Sequence, residues 1–193
     1  MVATQLLSSM VNNPIPTRAE IVDIMTAVKS GADSLLLTDE TTIGNYPVEA
    51  VEWLNKIANM YEYEPKGHSL DLSKFDERMK FAIGICELAN KINAKIVVFT
   101  KSGLTAIRLS RYRGIEILAG TPSQDVKKFI SLLRNVNSIR VNANDYNSGM
   151  YATLQEFIKE KKIKNGDYVI LTYGLQPNTK EYEHVIKLIK INI

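Results

Sequence analysis

The feature that most constrains this chain is the stretch at residues 13–51, NPIPTRAEIVDIMTAVKSGADSLLLTDETTIGNYPVEAV. Thr17 and Glu20 have the spacing of a capping box, in which each side chain satisfies an amide left free in a helix's first turn. Ile21, Ile24, Met25 and Val28 then share one helical face, and Gly31 stands where a helix usually stops. Residues 34–37 are too few for a helix and apolar enough for a short strand buried on both faces. A loop at 38–46 follows, and Pro47 suits the first turn of a second helix. The stretch predicts an α-β-α unit with its long loop at the carboxyl end of the strand.

These residues resemble pyruvate kinase. The family pattern runs approximately NPxPTRAE, then GADAxMLSGETAxGxYPVEAV. It is met here by Asn13, Pro14, Pro16, Thr17, Arg18, Ala19 and Glu20, then by Gly31, Ala32, Asp33, Glu40, Thr41, Gly44 and the run YPVEAV at 46–51. Upstream, Val2, Ala3, Thr4 and Gln5 are similar to the family's ATQ at the end of the seventh strand of its (β/α)8 barrel. The resemblance implies a chain that begins inside a barrel strand, and it requires Ala3 and Leu36 to lie as adjacent parallel neighbours.

The 193 residues exceed one small domain and fall short of a complete barrel with accessories. A net charge of +3 is too slight to point to nucleic acid, and the lysines near residues 159–164 read as the solvated end of a helix. Cys86 is the single cysteine, which excludes a disulfide framework and a cysteine metal cluster. His68 and His184 have no second ligand at metal spacing, so no metal site is expected. With neither a signal-like amino end nor an apolar run of spanning length, a cytoplasmic protein without membrane contact is expected.

The second helix carries Val51, Leu54, Ala58 and Tyr61 as its apolar stripe, and residues 62–72, with Pro65 and Gly67, read as a linker. The expected division is therefore residues 1–63, a remnant of the catalytic barrel, and residues 64–193, an α/β domain. From residue 73 helix and strand alternate. Met79, Ala82, Ile83, Cys86 and Ala89 line a helix face, residues 95–99 form a buried strand, and residues 105–113 form a short helix. Strands follow at 115–119, 138–141 and 168–172. Thr121 with Gln124 opens a helix, another ends at Asn165 and Gly166, and residues 184–191 alternate as an edge strand would. Helices between strands imply a mostly parallel sheet covered on both faces. The fold class is α/β: a partial (β/α)8 barrel, then the three-layer, five-stranded domain that the resemblance implies, with an antiparallel edge strand.

A second match to the family is the loop Thr100, Lys101, Ser102, Gly103, Leu104, Thr105 and Ala106, followed by Ser110, Arg111, Tyr112 and Arg113. It resembles a loop that holds an effector's phosphate in regulated members. A hydroxyl- and glycine-bearing turn from strand to helix suits that role, because free amides and hydroxyl donors point at one place. The effector phosphate-binding candidates are Thr100, Lys101, Ser102, Gly103 and Thr105; the competing reading is that Ser102 or Thr105 merely caps the helix. Leu104 stands where some regulated members have a basic residue. The loop at 173–178 lacks a gripping tryptophan or arginine, with Lys180 the nearby cation, so a monophosphate or no effector is expected rather than a sugar bisphosphate.

For catalysis the resemblance implies phosphoryl transfer between phosphoenolpyruvate and ADP, with magnesium and potassium neutralising charge in the parent enzyme. Thr4 and Thr38 match hydroxyl positions at the ends of strands seven and eight and are the catalytic candidates; either is equally an ordinary polar residue at a strand end. Asp39 replaces a glycine, which threatens geometry and charge if close approach or a positive φ is needed there. The family's catalytic lysine and its ligands for both ions lie outside this sequence, and Asp33, Asp39, Glu40 and Glu49 do not rebuild a magnesium site. Arg18 corresponds to a subunit-interface position in a homo-oligomer, while Trp53, Tyr61 and Tyr63 suit packing at a domain interface. Two readings follow: the C-terminal portion of a pyruvate kinase, inactive alone, or a non-catalytic module that binds a phosphorylated ligand.

Overall fold

A computed structural model of the chain describes residues 1–3, 5–60, 73, 75–112, 114–173 and 185–192. Thr4, Tyr61, Tyr63, His68, Arg113, Lys180, His184 and the loop from Gly174 to Asn178 lie outside the described residues, as does the linker at 62–72. The chain divides into two compact units, Met1–Glu64 and Pro65–Ile193.

In the first unit, β1 (Val2–Ala3) pairs in parallel with β2 (Leu35–Leu36), and Ala3 stands opposite Leu36. Helix α1 (Arg18–Ser30) begins with the capping box read from the sequence: Glu20 donates its amide to the Thr17 hydroxyl, and Thr17 donates its amide to the Glu20 carboxylate. It ends on Gly31, whose φ of 96° is left-handed and free of Cβ strain. A one-turn helix, α2 (Asp39–Thr42), separates β2 from α3 (Pro47–Met60). The unit's core gathers Leu6, Leu7, Met10, Ile24, Val28, Ala50 and Ile57, with Trp53, Leu54 and Ala58 packed against it. The α3 stripe is therefore rotated from the expected one, and Val51 faces outward at 44% exposure. β2 is not buried on both faces: Leu36 is 43% exposed, because among the described residues β2 pairs only with β1. Trp53 packs on this core, with Lys56 Nζ 5.0 Å from its ring.

The second unit holds a five-stranded sheet in the order β5-β4-β3-β6-β7. Its strands are β3 (Lys95–Phe99), β4 (Ile117–Thr121), β5 (Val136–Arg140), β6 (Tyr168–Tyr173) and β7 (Val185–Lys190). All pairs are parallel except β6 with β7. Helix α4 (Glu77–Lys91) leads into β3, and α5 (Leu104–Ser110), α6 (Gln124–Ile130) and α7 (Tyr146–Lys159) connect β3 to β4, β4 to β5 and β5 to β6. The twofold alternation of a strand sends Ile96 and Val98 into one apolar layer with α4, α5 and Ile130. Val97 and Phe99 enter the opposite layer under α7. Cys86 is fully buried in the first of these layers, and burial pushes its thiol up to about 12. It is an inert core residue.

Several boundaries differ from the sequence expectation: β4 lies two residues later than 115–119, and β5 starts two residues before 138 and ends one before 141. α6 is opened by Ser123, whose hydroxyl accepts the Val126 amide, because Thr121 still belongs to β4. α7 stops at Lys159, well before Asn165 and Gly166, which turn the chain into β6. α5 is shorter than expected and ends at Ser110.

Candidate functional site

Two strand ends carry the candidate chemistry. In the first unit, the chain after Ala3 and the chain after Leu36 leave the same end of a parallel pair. Thr38 is exposed at that end, with φ −126° and ψ −91°, and its hydroxyl makes no cap hydrogen bond to α2. Thr4, the other catalytic candidate, lies outside the described residues. Asp39 is the first residue of α2, exposed, and its φ is not positive, so replacement of a glycine there imposes no backbone strain.

The residue that organises this end is Glu40, which is 2% exposed. Its Oε1 accepts the Leu7 amide at 3.0 Å and its Oε2 accepts the Thr38 amide at 2.9 Å. One carboxylate thus ties the segment after β1 to the segment after β2. Burial raises the Glu40 pKa, but the amides of Thr38, Glu40 and Leu7 outweigh it and hold the carboxyl below its ordinary value. Glu20 makes a second tie: it accepts the Ser9 amide at 2.7 Å and hydroxyl at 2.5 Å, besides the Thr17 amide and hydroxyl. Sequence reading finds Glu20 as a cap and misses both cross-links, since nothing local announces a partner 33 residues away.

In the second unit, residues 100–103 leave β3 where the strand order reverses, with β4 on one side and β6 on the other. Such a switch point is where open α/β sheets place ligands. Thr100 is 3% exposed, and its hydroxyl accepts the Gly103 amide at 2.9 Å. The Gly103 amide is therefore turned into the loop rather than toward a ligand. Gly103 itself is the N-cap of α5 at φ +84°, and a Cβ there would meet Ile130 Cγ2 at 2.9 Å. No side chain caps α5, so the reading in which Ser102 or Thr105 does so is not met. Ser102 and Lys101 are exposed, and Thr105 is half-buried. Lys101 Nζ lies 4.9 Å from the Tyr146 ring, which stacks edge-on against Phe99 and tilts against Tyr173.

Residues 80–189 match the protein family described as "Pyruvate kinase, alpha/beta domain", and residues 1–51 match "Pyruvate kinase, barrel domain". The chain belongs to the pyruvate kinase family. The pyruvate kinase of Pyrobaculum aerophilum is 39% identical over 91% of this chain, and that of Methanocaldococcus jannaschii is 41% identical over 87%. A crystal structure of pyruvate kinase from P. aerophilum superposes with a TM-score of 0.78 at 36% identity, covering 97% of this chain. The chain spans 36% and 38% of the two relatives' lengths and 39% of the crystallised one.

Pyruvate kinases work with magnesium and potassium. Among the described residues no three His, Cys, Asp or Glu side chains gather as a metal site. At the first unit's strand ends Glu40 and Glu20 are committed to amides and hydroxyls, while Asp39 beside them is exposed. These residues do not form a carboxylate site for magnesium. Arg18 opens α1 as an exposed residue. Among the described residues no helix is long and apolar enough to cross a membrane.

Proposed function

We propose that this chain forms the C-terminal portion of a pyruvate kinase, the enzyme that moves phosphate from phosphoenolpyruvate to ADP. The parallel pairing of Ala3 with Leu36 carries the proposal, because two adjacent parallel strands are what a slice of a (β/α)8 barrel requires. Thr38 holds an uncommitted hydroxyl there to relay a proton, and Thr4 stands beside substrate. Magnesium and potassium are held by residues outside this chain, which neutralise charge on the transferred phosphoryl group. Residues 1–63 constitute the barrel portion and residues 64–193 the α/β domain, in a cytoplasmic homo-oligomer with Arg18 at a subunit contact.

A lactate-coupled assay tests this. The 193-residue chain alone gives no magnesium-dependent turnover of phosphoenolpyruvate. The complete enzyme containing it does, and Thr38→Ala lowers its kcat by about 10²-fold, the scale of a lost proton relay. Turnover by the chain alone, or none by the complete enzyme, defeats the proposal.

A second reading is favoured by the uncapped start of α5 at the switch point of the sheet. In it Ser102, Thr105 and Lys101 bind the phosphate of a regulatory monophosphate, with Thr100 and Gly103 shaping the loop. Calorimetry or thermal shift with AMP, ribose 5-phosphate and fructose bisphosphate checks it. At a ligand concentration of 100 times Kd, stabilisation of about 2.7 kcal/mol is expected. Ser102→Ala with Thr105→Ala abolishes that shift, and no shift with any of the three compounds removes the reading.

A further inference from the structure

We infer that Glu40 is the positioning residue of the phosphoryl-transfer edge, setting where Thr38 stands relative to the segment after β1; this rests on the pyruvate kinase reading above. A carboxylate has two acceptor oxygens and no donor, and here each oxygen takes one amide from a different segment, Leu7 on Oε1 and Thr38 on Oε2. The group is 2% exposed, so water does not stand in for either contact. Glu40 reaches these partners from the first turn of α2, and the α2 backbone is held in turn by Thr38 O, which accepts the Thr41 and Thr42 amides. Thr38 has a ψ of −91°, outside the helical and extended regions, and the bond from its own amide to Glu40 fixes it there. Gly44 closes the same turn: a Cβ on it would lie 2.5 Å from Glu40 O, so the chain passes against the backbone of the residue that does the positioning.

Glutamine has the same shape as glutamate but one acceptor oxygen and one donor nitrogen. Glu40→Gln therefore leaves one of the two amides facing an N–H group whichever way the amide is turned. Aspartate keeps two acceptors on a stem shorter by one carbon, so Glu40→Asp retains the chemistry and shifts the distance.

The test has two readouts. In the full chain, amide hydrogen exchange should show either Leu7 or Thr38 losing at least about tenfold protection in Glu40→Gln, the scale of one lost hydrogen bond. Glu40→Asp should show a smaller loss, and it serves as the second variant where Glu40→Gln does not fold. Glu20→Gln should leave the Thr38 amide as it is. In the complete enzyme, Glu40→Gln should lower kcat by about 10²-fold, the cost of a misplacement near 1 Å, while KM for phosphoenolpyruvate changes less than about twofold. Glu40→Asp should recover part of that loss. Unchanged protection of both amides in Glu40→Gln overturns the inference, as does a normal kcat in Glu40→Gln where Thr38→Ala is impaired. A normal kcat in Thr38→Ala instead overturns the reading on which the inference rests.

Discussion

Gly120→Ala is expected to unfold the α/β unit or to cost it at least about 3 kcal/mol, the upper range for overpacking a core. Gly120 lies in β4 beneath α7, where a Cβ would stand 1.8 Å from Thr153 Oγ1 and 2.8 Å from both Thr153 Cβ and Cγ2. Thr153 has little freedom to withdraw. It is fully buried, β-branched, and its hydroxyl donates to Gly149 O at 2.7 Å. The same helix approaches the sheet a second time at Gly149, where a Cβ would lie 2.6 Å from the Phe99 ring. Two glycine contacts thus set how closely α7 sits on β3 and β4, and one methyl group at either lifts it. Thr153→Ala in the Gly120→Ala background should restore most of the loss; the Cβ at 2.8 Å remains, so recovery is incomplete. Gly84→Ala is the control. It lies in α4 with nothing within 4 Å of an added Cβ, so it should be neutral or stabilise by about 0.5–1 kcal/mol. Urea unfolding followed by amide exchange in β3 and β4 separates these outcomes. Equal stability of Gly120→Ala and Gly84→Ala contradicts the close approach.

What the sequence discloses divides by range. The capping box at Thr17 and Glu20, the stop at Gly31 and the start at Pro47 are decided within one helical turn, and each stands where its residues put it. Strand β3 is legible for a related reason: after Lys95 comes Ile, Val, Val and Phe, an apolar run too short for a helix and made of β-branched and aromatic residues. Boundaries slip where two local signals compete. Thr121 has the chemistry of a cap, but the ladder partner Arg140 keeps it in β4, and Ser123 takes the role. Asn165 and Gly166 read as a helix end, yet they belong to the turn into β6, where Gly166 donates its amide to Ile191 O. Contacts between distant residues are not legible. Nothing around Gly120 names Thr153, and nothing around Glu40 names Leu7. The family pattern preserves Glu40 as one letter among many, and only the fold gives that letter its two partners.

Acid should release the barrel unit before the α/β unit, for reasons that reside in Glu20 and Glu40. Burial raises the pKa of each. For Glu20 the Ser9 hydroxyl and amide and the Thr17 amide and hydroxyl more than offset it. For Glu40 the amides of Thr38, Glu40 and Leu7 do so, against a further upward push from the Glu20 charge. Both folded-state values therefore lie below the ordinary 4.5. A carboxyl with a depressed folded pKa contributes stability that is complete above its unfolded value and is lost as pH falls through the folded value. The loss in this unit thus begins near pH 4.5 and deepens below it. In the other unit Asp145 and Asp167 are also depressed, the first by the Ser148 hydroxyl and the second by the Lys164 amide. They start from an ordinary 3.8, and water reaches both, so their release comes later and matters less. Trp53 is the chain's single tryptophan and packs on the barrel unit's core, so its fluorescence follows that unit alone. Between pH 7 and pH 3 its transition should precede the loss of amide protection in β3 and β6. Glu20→Gln with Glu40→Gln should lower stability at pH 7, by about 1.5–3 kcal/mol for the buried site alone, and flatten the acid limb, because the groups that bind the protons are gone. An acid limb as steep in the double variant as in the parent would place the linkage elsewhere.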